Sequence, residues 1–270
     1  MTTYEHLLIE QHGRVAVVTL NRPEKLNALN QRLREETVAC FNAMELDDSV
    51  SVIVVTGAGR GFCAGADLTS GDAGRPSDAP TASQTVRLDE YEWIGHRAEA
   101  TYRMTKPTIA AVNGVAVGGG MSLALACDIR FGCENTRFKT QFVERSLSPD
   151  SGMSYLLPRI VGYARAMDLF FTNRDIRGEE GVAMGLLEHY VATPEKLVEE
   201  AVAYGQRIAQ MPPMAMRATK RVVQRNLLLD FESALREEKN AHTYARRAPN
   251  DVKESMQAFL EKRTPNFTGT

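Results

Sequence analysis

A run of three glycines, Gly118-Gly119-Gly120, is the first candidate for chemistry, at a predicted strand-to-helix junction. Glycine has no Cβ, so another group can approach this backbone closely. The first N–H groups of a helix lack intrahelical acceptors, and the helix macrodipole adds partial positive charge there. Such donors can hold a developing oxyanion. A tight packing turn would use the same residues, and the sequence leaves both interpretations open.

The second candidate is Asp150, in the segment LSPDSG. Its carboxylate could move a proton, but an aspartate in a turn often only shapes or caps the backbone. Asp67, in AGADL, has the same cap interpretation. The sequence lacks the G-x-S-x-G pattern of a nucleophile elbow, which argues against a Ser-His-Asp hydrolase. The residues alone therefore indicate a two-part site, with backbone donors and one carboxylate.

A further glycine-rich segment, GAGRG at 57–61, follows a predicted strand. A dinucleotide-binding turn would open directly into a helix, with an acidic residue about twenty positions further on. Here the chain continues instead into CAGADL and then into a small, polar stretch at 69–83, which we predict to be a mobile surface loop. We therefore do not favour nucleotide binding at this turn.

The elements that must position these residues alternate between strand and helix in the first half of the chain. Residues 5–11 and 14–20 predict a hairpin around His12-Gly13. Further strands are predicted at 51–56, 108–113 and 128–133, and helices at 30–48, 90–104 and 121–127. After Gly162 the pattern predicts helices at 163–171, 179–185, 195–210, 213–229, 230–247 and 250–262. This order predicts an α/β core with a helical C-terminal extension.

Composition narrows the class of protein. With 270 residues, 43% of them hydrophobic, the chain fits one domain with an appendage. A net charge of -2 gives no reason to expect nucleic acid. We expect no membrane span, because no segment approaches the ~20 apolar residues required. The N-terminus has no apolar run typical of a signal peptide, so we expect a cytoplasmic protein with its four cysteines as buried thiols. The five histidines are scattered, and we expect no metal.

Five segments together resemble the crotonase superfamily of enoyl-CoA hydratases and isomerases. They are TLNRPEKLNALN, GFCAGADL, KPTIAAVNGVAVGGG, LACDIRF and SPDSGMSYLLPRIVG, in the family's order and near its spacing. The resemblance implies an α/β fold, a spiral of ββα units over residues 1–195. It also implies a helical region at 196–270 that packs homotrimers, singly or as a dimer of trimers. Coenzyme A thioesters are the implied substrates, and no separate cofactor is expected.

The resemblance also assigns site residues. The N–H groups of Ala66 and Gly119 resemble the family's oxyanion hole for the thioester carbonyl, in agreement with the reading of the glycine run. Arg22 and Lys25 are expected near the phosphates or the adenine end of coenzyme A. Lys262, near the matching C-terminal ending, is expected to reach a neighbouring subunit's ligand. Further residues expected along the substrate are Ala64, Gly65, Asp67, Leu68 and Gly118.

The sequence departs from the hydratase pattern at both catalytic glutamates. The first position is occupied by Ser122 and the second by Phe142, both of which we expect to line the substrate pocket. Serine needs a partner to act as a base, and phenylalanine has no proton to exchange. Glu144 lies two residues beyond the second position and could replace it only if the loop were shifted. Efficient hydration is therefore not the expectation.

Asp150 instead falls where the double-bond isomerases of the superfamily carry their acid/base carboxylate. SPDSGMSYLLPR resembles the corresponding segment of ring-epoxide isomerases of phenylacetate degradation and of Δ3,Δ2-enoyl-CoA isomerases. An isomerase needs one base, which removes a proton α to the carbonyl and returns it two carbons away. Burial beside Phe142, Leu147 and Met153 would raise the pKa of Asp150 toward neutrality.

Three alternatives stay open. A hydratase would keep the same fold. In a dehalogenase-like enzyme Asp150 would be a nucleophile, with His96 near the position of that group's histidine base. However, His96 is one position out of register, and Phe142 stands where those enzymes carry tryptophan. A non-catalytic acyl-CoA-binding protein would explain the loss of both glutamates but not the presence of Asp150.

Overall fold

The structure is a computed structural model that describes residues 3–69 and 82–270. Most of the surface loop predicted at 69–83 therefore lies outside the described residues. The strands in these ranges are β1 (Leu7–His12), β2 (Val15–Leu20), β3 (Val52–Gly57), β4 (Gly61–Cys63), β5 (Thr108–Val112), β6 (Val115–Val117), β7 (Ile129–Gly132), β8 (Arg137–Lys139), β9 (Ile176–Arg177) and β10 (His189–Tyr190). The α-helices are α1 (Gln31–Leu46), α2 (Gln84–Arg87), α3 (Glu92–Tyr102), α4 (Gly119–Ala126), α5 (Met153–Val161), α6 (Tyr163–Thr172), α7 (Gly178–Ala183), α8 (Leu197–Ala209), α9 (Pro213–Asn226), α10 (Phe231–Ala245) and α11 (Pro249–Glu261).

The strands form two sheets. The larger has the order β1-β2-β3-β5-β7-β10, and only its β1–β2 hairpin is antiparallel among the described pairings. The smaller has the order β4-β6-β8-β9, with β9 antiparallel to β8. The opening hairpin predicted around His12-Gly13 is confirmed.

Successive strands alternate between the two sheets. β3, β5 and β7 lie in the large sheet, and the strands that follow them, β4, β6 and β8, lie in the small one. Each strand pair precedes a helix, which is α3, α4 or α5 in turn. This arrangement is the spiral of ββα units expected from the sequence, and the α/β prediction is confirmed. Because the small-sheet strands are parallel neighbours, the loops after β4, β6 and β8 meet at one edge.

The residues of strand β3 form a continuous apolar run because both faces of the strand are covered. Ile53 and Val55 face the main core, whereas Val52 and Val54 face a second cluster that includes Leu197 from α8. All six residues of β3 are buried. A strand covered on both faces has no polar side, so the alternating pattern typical of half-exposed strands is absent.

Two kinds of element escaped prediction. The small-sheet strands β4, β6 and β8 contain three residues each, too few for a periodic pattern. Helix α5 contains Pro158, which normally disfavours a helix interior. Helix α1 is confirmed within the predicted 30–48, and the Asn30 side chain caps it by accepting from the Leu33 N–H at 2.9 Å.

The C-terminal helices pack on different parts of the protein. Helix α8 covers the outer face of the large sheet, whereas α9 and α10 pack mainly on each other. Large apolar side chains remain exposed on and between α9, α10 and α11: Val223, Leu227, Leu228, Leu229, Phe231, Leu235, Met256, Phe259 and Leu260. Among the described helices, none is long and apolar enough to cross a membrane. The division of the chain at residue 195 stays a prediction.

Candidate active site

The first backbone donor is built by the segment that follows β4. Leu29 and Ala66 form an isolated parallel bridge, in which the Leu29 N–H donates to the carbonyl of Gly65 at 2.7 Å and the Asp67 N–H donates to the carbonyl of Leu29 at 3.1 Å. In a parallel bridge the middle residue turns its own N–H to the opposite side. The N–H of Ala66 therefore points away from Leu29.

The second donor begins helix α4. Gly119 is the first residue of this helix, so its N–H has no acceptor within the helix. Gly65 approaches it closely, since a Cβ built on Gly65 would lie 3.7 Å from the Gly119 nitrogen. Gly65 has φ +86°, a left-handed conformation that favours glycine. The structure therefore brings the two predicted oxyanion donors, Ala66 and Gly119, to the same place.

The glycine run is required by close packing as well as by the site. Gly118 has φ +50°, and its N–H donates to the carbonyl of Lys139 at 3.0 Å. A Cβ on Gly120 would overlap the carbonyl of Cys63, which is itself buried in β4. The packing interpretation therefore holds for Gly120, and the oxyanion role of Gly119 stays a prediction.

Asp150 lies in the turn before α5 and lines the same cavity as Ala66 and Gly119. Burial raises the pKa of the Asp150 carboxyl, and the positive charge of Arg97 opposes this effect. The net direction is upward, as expected for a carboxylate that acts as a base. Asp150 is the one carboxylate among the described residues that line this cavity.

Ser122 and Phe142 are placed differently from each other. Phe142 lines the cavity and is buried. Ser122 is also buried, but contrary to expectation it is not among the described residues that line the cavity. Its hydroxyl lies within hydrogen-bonding distance of the carbonyls of Gly118 (3.3 Å) and Asp150 (3.4 Å). Ser122 therefore contacts the turn that carries Asp150.

Glu144 belongs to a surface network. Its carboxylate accepts from Lys139 at 3.3 Å and Gln141 at 3.1 Å, and it also contacts the Asn173 amide. The hydrogen bond and the charge of Lys139 lower the pKa of Glu144. Glu144 is exposed, and it is not among the described residues that line the cavity. A low pKa and a position outside the cavity both argue against Glu144 as a replacement base.

Some of the predicted coenzyme-binding residues line the cavity, whereas Arg22, Lys25 and Asp67 are not among its described lining residues. Ala64, Gly65 and Leu68 line the cavity, and Leu68 is largely exposed. Arg22 is mostly buried and forms an ion pair with Asp67 at 2.9 Å. The Lys25 ammonium lies 3.4 Å from the hydroxyl of Thr69. Contact of these residues with coenzyme A stays a prediction.

His96 lies apart from Asp150. It contacts Asp89 at 2.6 Å and lines a different cavity, with Phe41 and Glu45 from α1. The structure therefore does not bring together the aspartate and histidine that a dehalogenase-like site would require.

Arg97 and Arg34 line the cavity and escaped the sequence analysis. Both are buried arginines on helices, α3 and α1. Periodicity usually assigns a charged residue to the exposed face of a helix, so no local pattern identifies either one. The only signal in the sequence would have been that two helix positions expected to be buried carry a charged residue.

Comparison with known proteins decides the family. The family model described as Enoyl-CoA hydratase/isomerase matches residues 10–270. The chain belongs to the enoyl-CoA hydratase/isomerase family. It is 33% identical to the 1,2-epoxyphenylacetyl-CoA isomerase of Escherichia coli (strain K12), over 98% of this chain and 99% of that protein. It is 38% identical to a probable enoyl-CoA hydratase of Rhizobium meliloti (strain 1021), over 98% of both chains.

Solved structures of this family have the same fold. An enoyl-CoA hydratase from Bacillus anthracis superposes with a TM-score of 0.88 at 32% identity, over 98% of this chain and all of that one. The crotonase resemblance, including its epoxide-isomerase branch, is confirmed. Members similar to this chain carry both names, hydratase and isomerase, so the family alone does not assign the reaction.

Proposed function

We propose that this enoyl-CoA hydratase/isomerase family member is an enoyl-CoA isomerase, with Asp150 as its acid/base residue. The observation that carries the proposal is that the described residues lining the cavity include one carboxylate. Among the described lining residues, Asp150 alone can accept a proton as a carboxylate, and it lies in the same cavity as the paired donors. A double-bond shift needs one such base.

The reaction would use the two halves of the site together. The thioester carbonyl of a 3-enoyl-CoA would accept hydrogen bonds from the N–H groups of Ala66 and Gly119, which stabilise negative charge on its oxygen. Asp150 would remove the proton on the α-carbon, and the electron pair would pass into a dienolate. The protonated Asp150 would then return the proton to the γ-carbon, two carbons away, to give the conjugated 2-enoyl-CoA.

The walls of the cavity favour proton return over addition of water. Leu29, Phe142 and Leu147 supply apolar surface around Asp150. The positions of both hydratase glutamates hold residues without a carboxylate, Ser122 and Phe142. Glu144 is engaged at the surface by Lys139. A nucleophilic water would therefore lack the two glutamates that hold and deprotonate it in the hydratases.

Hydration is the second candidate, because relatives such as the Rhizobium meliloti protein carry that name. The placement of His96 outside the cavity weakens the dehalogenase-like alternative. A non-catalytic acyl-CoA-binding role would leave the raised pKa of Asp150 without a use.

We also infer that the protein binds its substrate as a homo-oligomer, a trimer or a dimer of trimers. The apolar side chains exposed on α9, α10 and α11 support this inference, because contiguous apolar surface on a helix pair favours a protein interface. Lys262, exposed at the end of α11, is placed where a neighbouring subunit could meet it. Arg22, Lys25 and Leu68 would flank the coenzyme A moiety, and no separate cofactor is proposed.

A direct assay tests the isomerase proposal. The parent protein, Asp150→Asn and the control Asp168→Asn would be incubated with a 3-enoyl-CoA, with conjugated product followed by absorbance and 3-hydroxyacyl-CoA by mass spectrometry. Asp168 is an exposed residue of α6 that pairs with Arg174, so its loss tests for a general effect of removing an aspartate. We expect conjugation by the parent and the control, and none by Asp150→Asn. Predominant hydration by the parent would refute the proposal.

A further inference from the structure

Arg97 is a buried arginine that lines the cavity beside Asp150. It lies on α3 with 3% of its surface exposed. Burying a guanidinium is unfavourable unless it is hydrogen-bonded or faces opposite charge. Burial lowers the pKa of Arg97, and the negative charge of Asp150 opposes this effect. Because burial of the Arg97 charge is unfavourable, its position beside a candidate active site indicates a role in that site.

The guanidinium of Arg97 packs directly against Gly119. Its Nη2 donates to the Gly119 carbonyl at 2.8 Å, and a Cβ built on Gly119 would lie 3.1 Å from the same nitrogen. The Arg97 guanidinium thus holds the carbonyl of Gly119, and the N–H of the same residue is the first in helix α4. This contact restricts movement of the first residue of α4, whose N–H would meet the thioester oxygen.

The same cation faces Asp150. The charged groups around this carboxylate come from several elements: Arg97 from α3, Arg34 from α1 and Arg145 from the segment after β8 all line the cavity. The positive charge of Arg97 lowers the pKa of Asp150, against the larger effect of burial. Arg34 acts on Arg97 itself, since its like charge lowers the pKa of Arg97.

Helix α3 also contacts the turn that carries Asp150, through a main-chain carbonyl. The Ser151 hydroxyl donates to the carbonyl of Ile94 at 3.2 Å. Ser151 follows Asp150 directly and has a left-handed backbone with φ +50°. One helix therefore contacts Gly119 through Arg97 and the Asp150 turn through Ile94. Any displacement of α3 would change both.

We propose that Arg97 is a positioning residue of this site: its guanidinium orients Gly119 in the oxyanion hole, and its charge faces Asp150 so that this residue acts as a carboxylate. Arg97 acts through these two residues and does not touch the reacting atoms. The inference rests on the proposed function of Asp150.

The test compares Arg97→Met and Arg97→Lys with the parent by pH profiles of kcat and kcat/KM for conjugation of a 3-enoyl-CoA. Arg103→Met is the matched control, because Arg103 lies at the end of the same helix, is 71% exposed and pairs with Glu99. Thermal unfolding of each variant checks that it is folded. Arg97→Lys keeps the charge in a smaller group and provides a measurable variant if Arg97→Met does not fold.

For Arg97→Met we expect kcat to fall about tenfold to a hundredfold with KM little changed, below the ~10²–10³ typical of a lost direct donor. The acid limb of the profile should move to higher pH, because losing the cation raises the pKa of Asp150 further. Arg97→Lys should keep the parent's acid limb but have a reduced kcat, and Arg103→Met should match the parent.

A parental acid limb in Arg97→Met, or an acid limb shifted equally in Arg97→Lys and Arg97→Met, would overturn the role of the charge. A loss expressed only in KM or only in thermal stability would overturn the positioning role. These failures are distinct from failure of the proposed function, which is reported by activity of Asp150→Asn. If Asp150→Asn is inactive and Arg97→Met is unchanged, the isomerase assignment stands and the inference on Arg97 does not.

Discussion

Gly65 and Val117 lie so close that a Cβ on Gly65 would be 2.7 Å from the Val117 carbonyl oxygen. This contact joins the segment after β4 to the strand that leads into α4, and so fixes the distance between the two oxyanion donors. The proposed oxyanion hole therefore depends on this backbone contact, in addition to the Arg97 side chain that holds Gly119.

Gly65→Ala should accordingly be defective in turnover. The added Cβ meets backbone that cannot move without displacing Ala66 or Gly119, so we expect kcat/KM to fall by ~10²-fold or more. Gly13→Ala is the matched control, since Gly13 also has positive φ (+63°) but its Cβ would meet nothing within 4 Å. Gly13→Ala should lose about 1–2 kcal/mol of stability from backbone strain and keep full activity. Equal activity of the two variants would contradict this account.

The Arg22–Asp67 pair predicts a pH-dependent stability. Hydrogen bonds from Thr69 and then the contact with Arg22 lower the pKa of Asp67 to about 2, below its ordinary 3.8. A lowered pKa in the folded state stabilises the protein above pH 3.8, and this contribution is lost as the pH falls through about 2. Asp67→Asn should therefore lose roughly 2 kcal/mol at pH 7 and less in acid. Urea unfolding at both pH values measures it, with Asp168→Asn expected to change little.

Asp150 should behave in the opposite way. Its pKa is raised above 3.8, mainly by burial, so the folded state binds its proton more tightly than the unfolded state. The contribution of this group to stability is then greatest below pH 3.8 and falls as the pH rises through the raised value. Asp150→Asn should be at least as thermostable as the parent at pH 7, although inactive. A clearly lower melting temperature would show that Asp150 is a structural turn residue.

Glu144→Gln separates the isomerase account from a shifted-loop hydratase. Because Glu144 is exposed and bonded to Lys139, its loss should leave conjugation activity within about twofold of the parent. The same assay with Phe142→Leu should show a larger loss, since Phe142 is buried against the cavity. Loss of turnover in Glu144→Gln alone would make Glu144 the base.

The sequence predicted the parts of the site that depend on local backbone chemistry. A glycine run before an apolar helix can be recognised without a fold, and the structure shows Gly119 at the first position of α4. The family resemblance added Ala66, whose N–H direction depends on the bridge to Leu29. No pattern near Ala66 specifies that bridge, because the partner lies in a distant part of the chain.

The burial of Arg97 could not be predicted from the sequence. Its burial results from α3 packing on α1 and α4, and neither contact is encoded by the residues around it. The small-sheet strands were missed for a related reason, because three-residue strands such as β6 are stabilised by their neighbours in the sheet. Tertiary contacts determine both the burial of Arg97 and the formation of these short strands.

The most direct measurement of the central claim is exchange of the α-proton. The protein would be incubated with an acyl-CoA substrate in deuterated water, and the label located by mass spectrometry for the parent and Asp150→Asn, with binding of each measured in parallel. The account predicts conjugated product with the parent, carrying label to the extent that the protonated Asp150 exchanges with solvent before it returns the proton, and neither product nor label above background with Asp150→Asn, at unchanged affinity. Exchange by Asp150→Asn at the parent's rate would show that another group moves the proton.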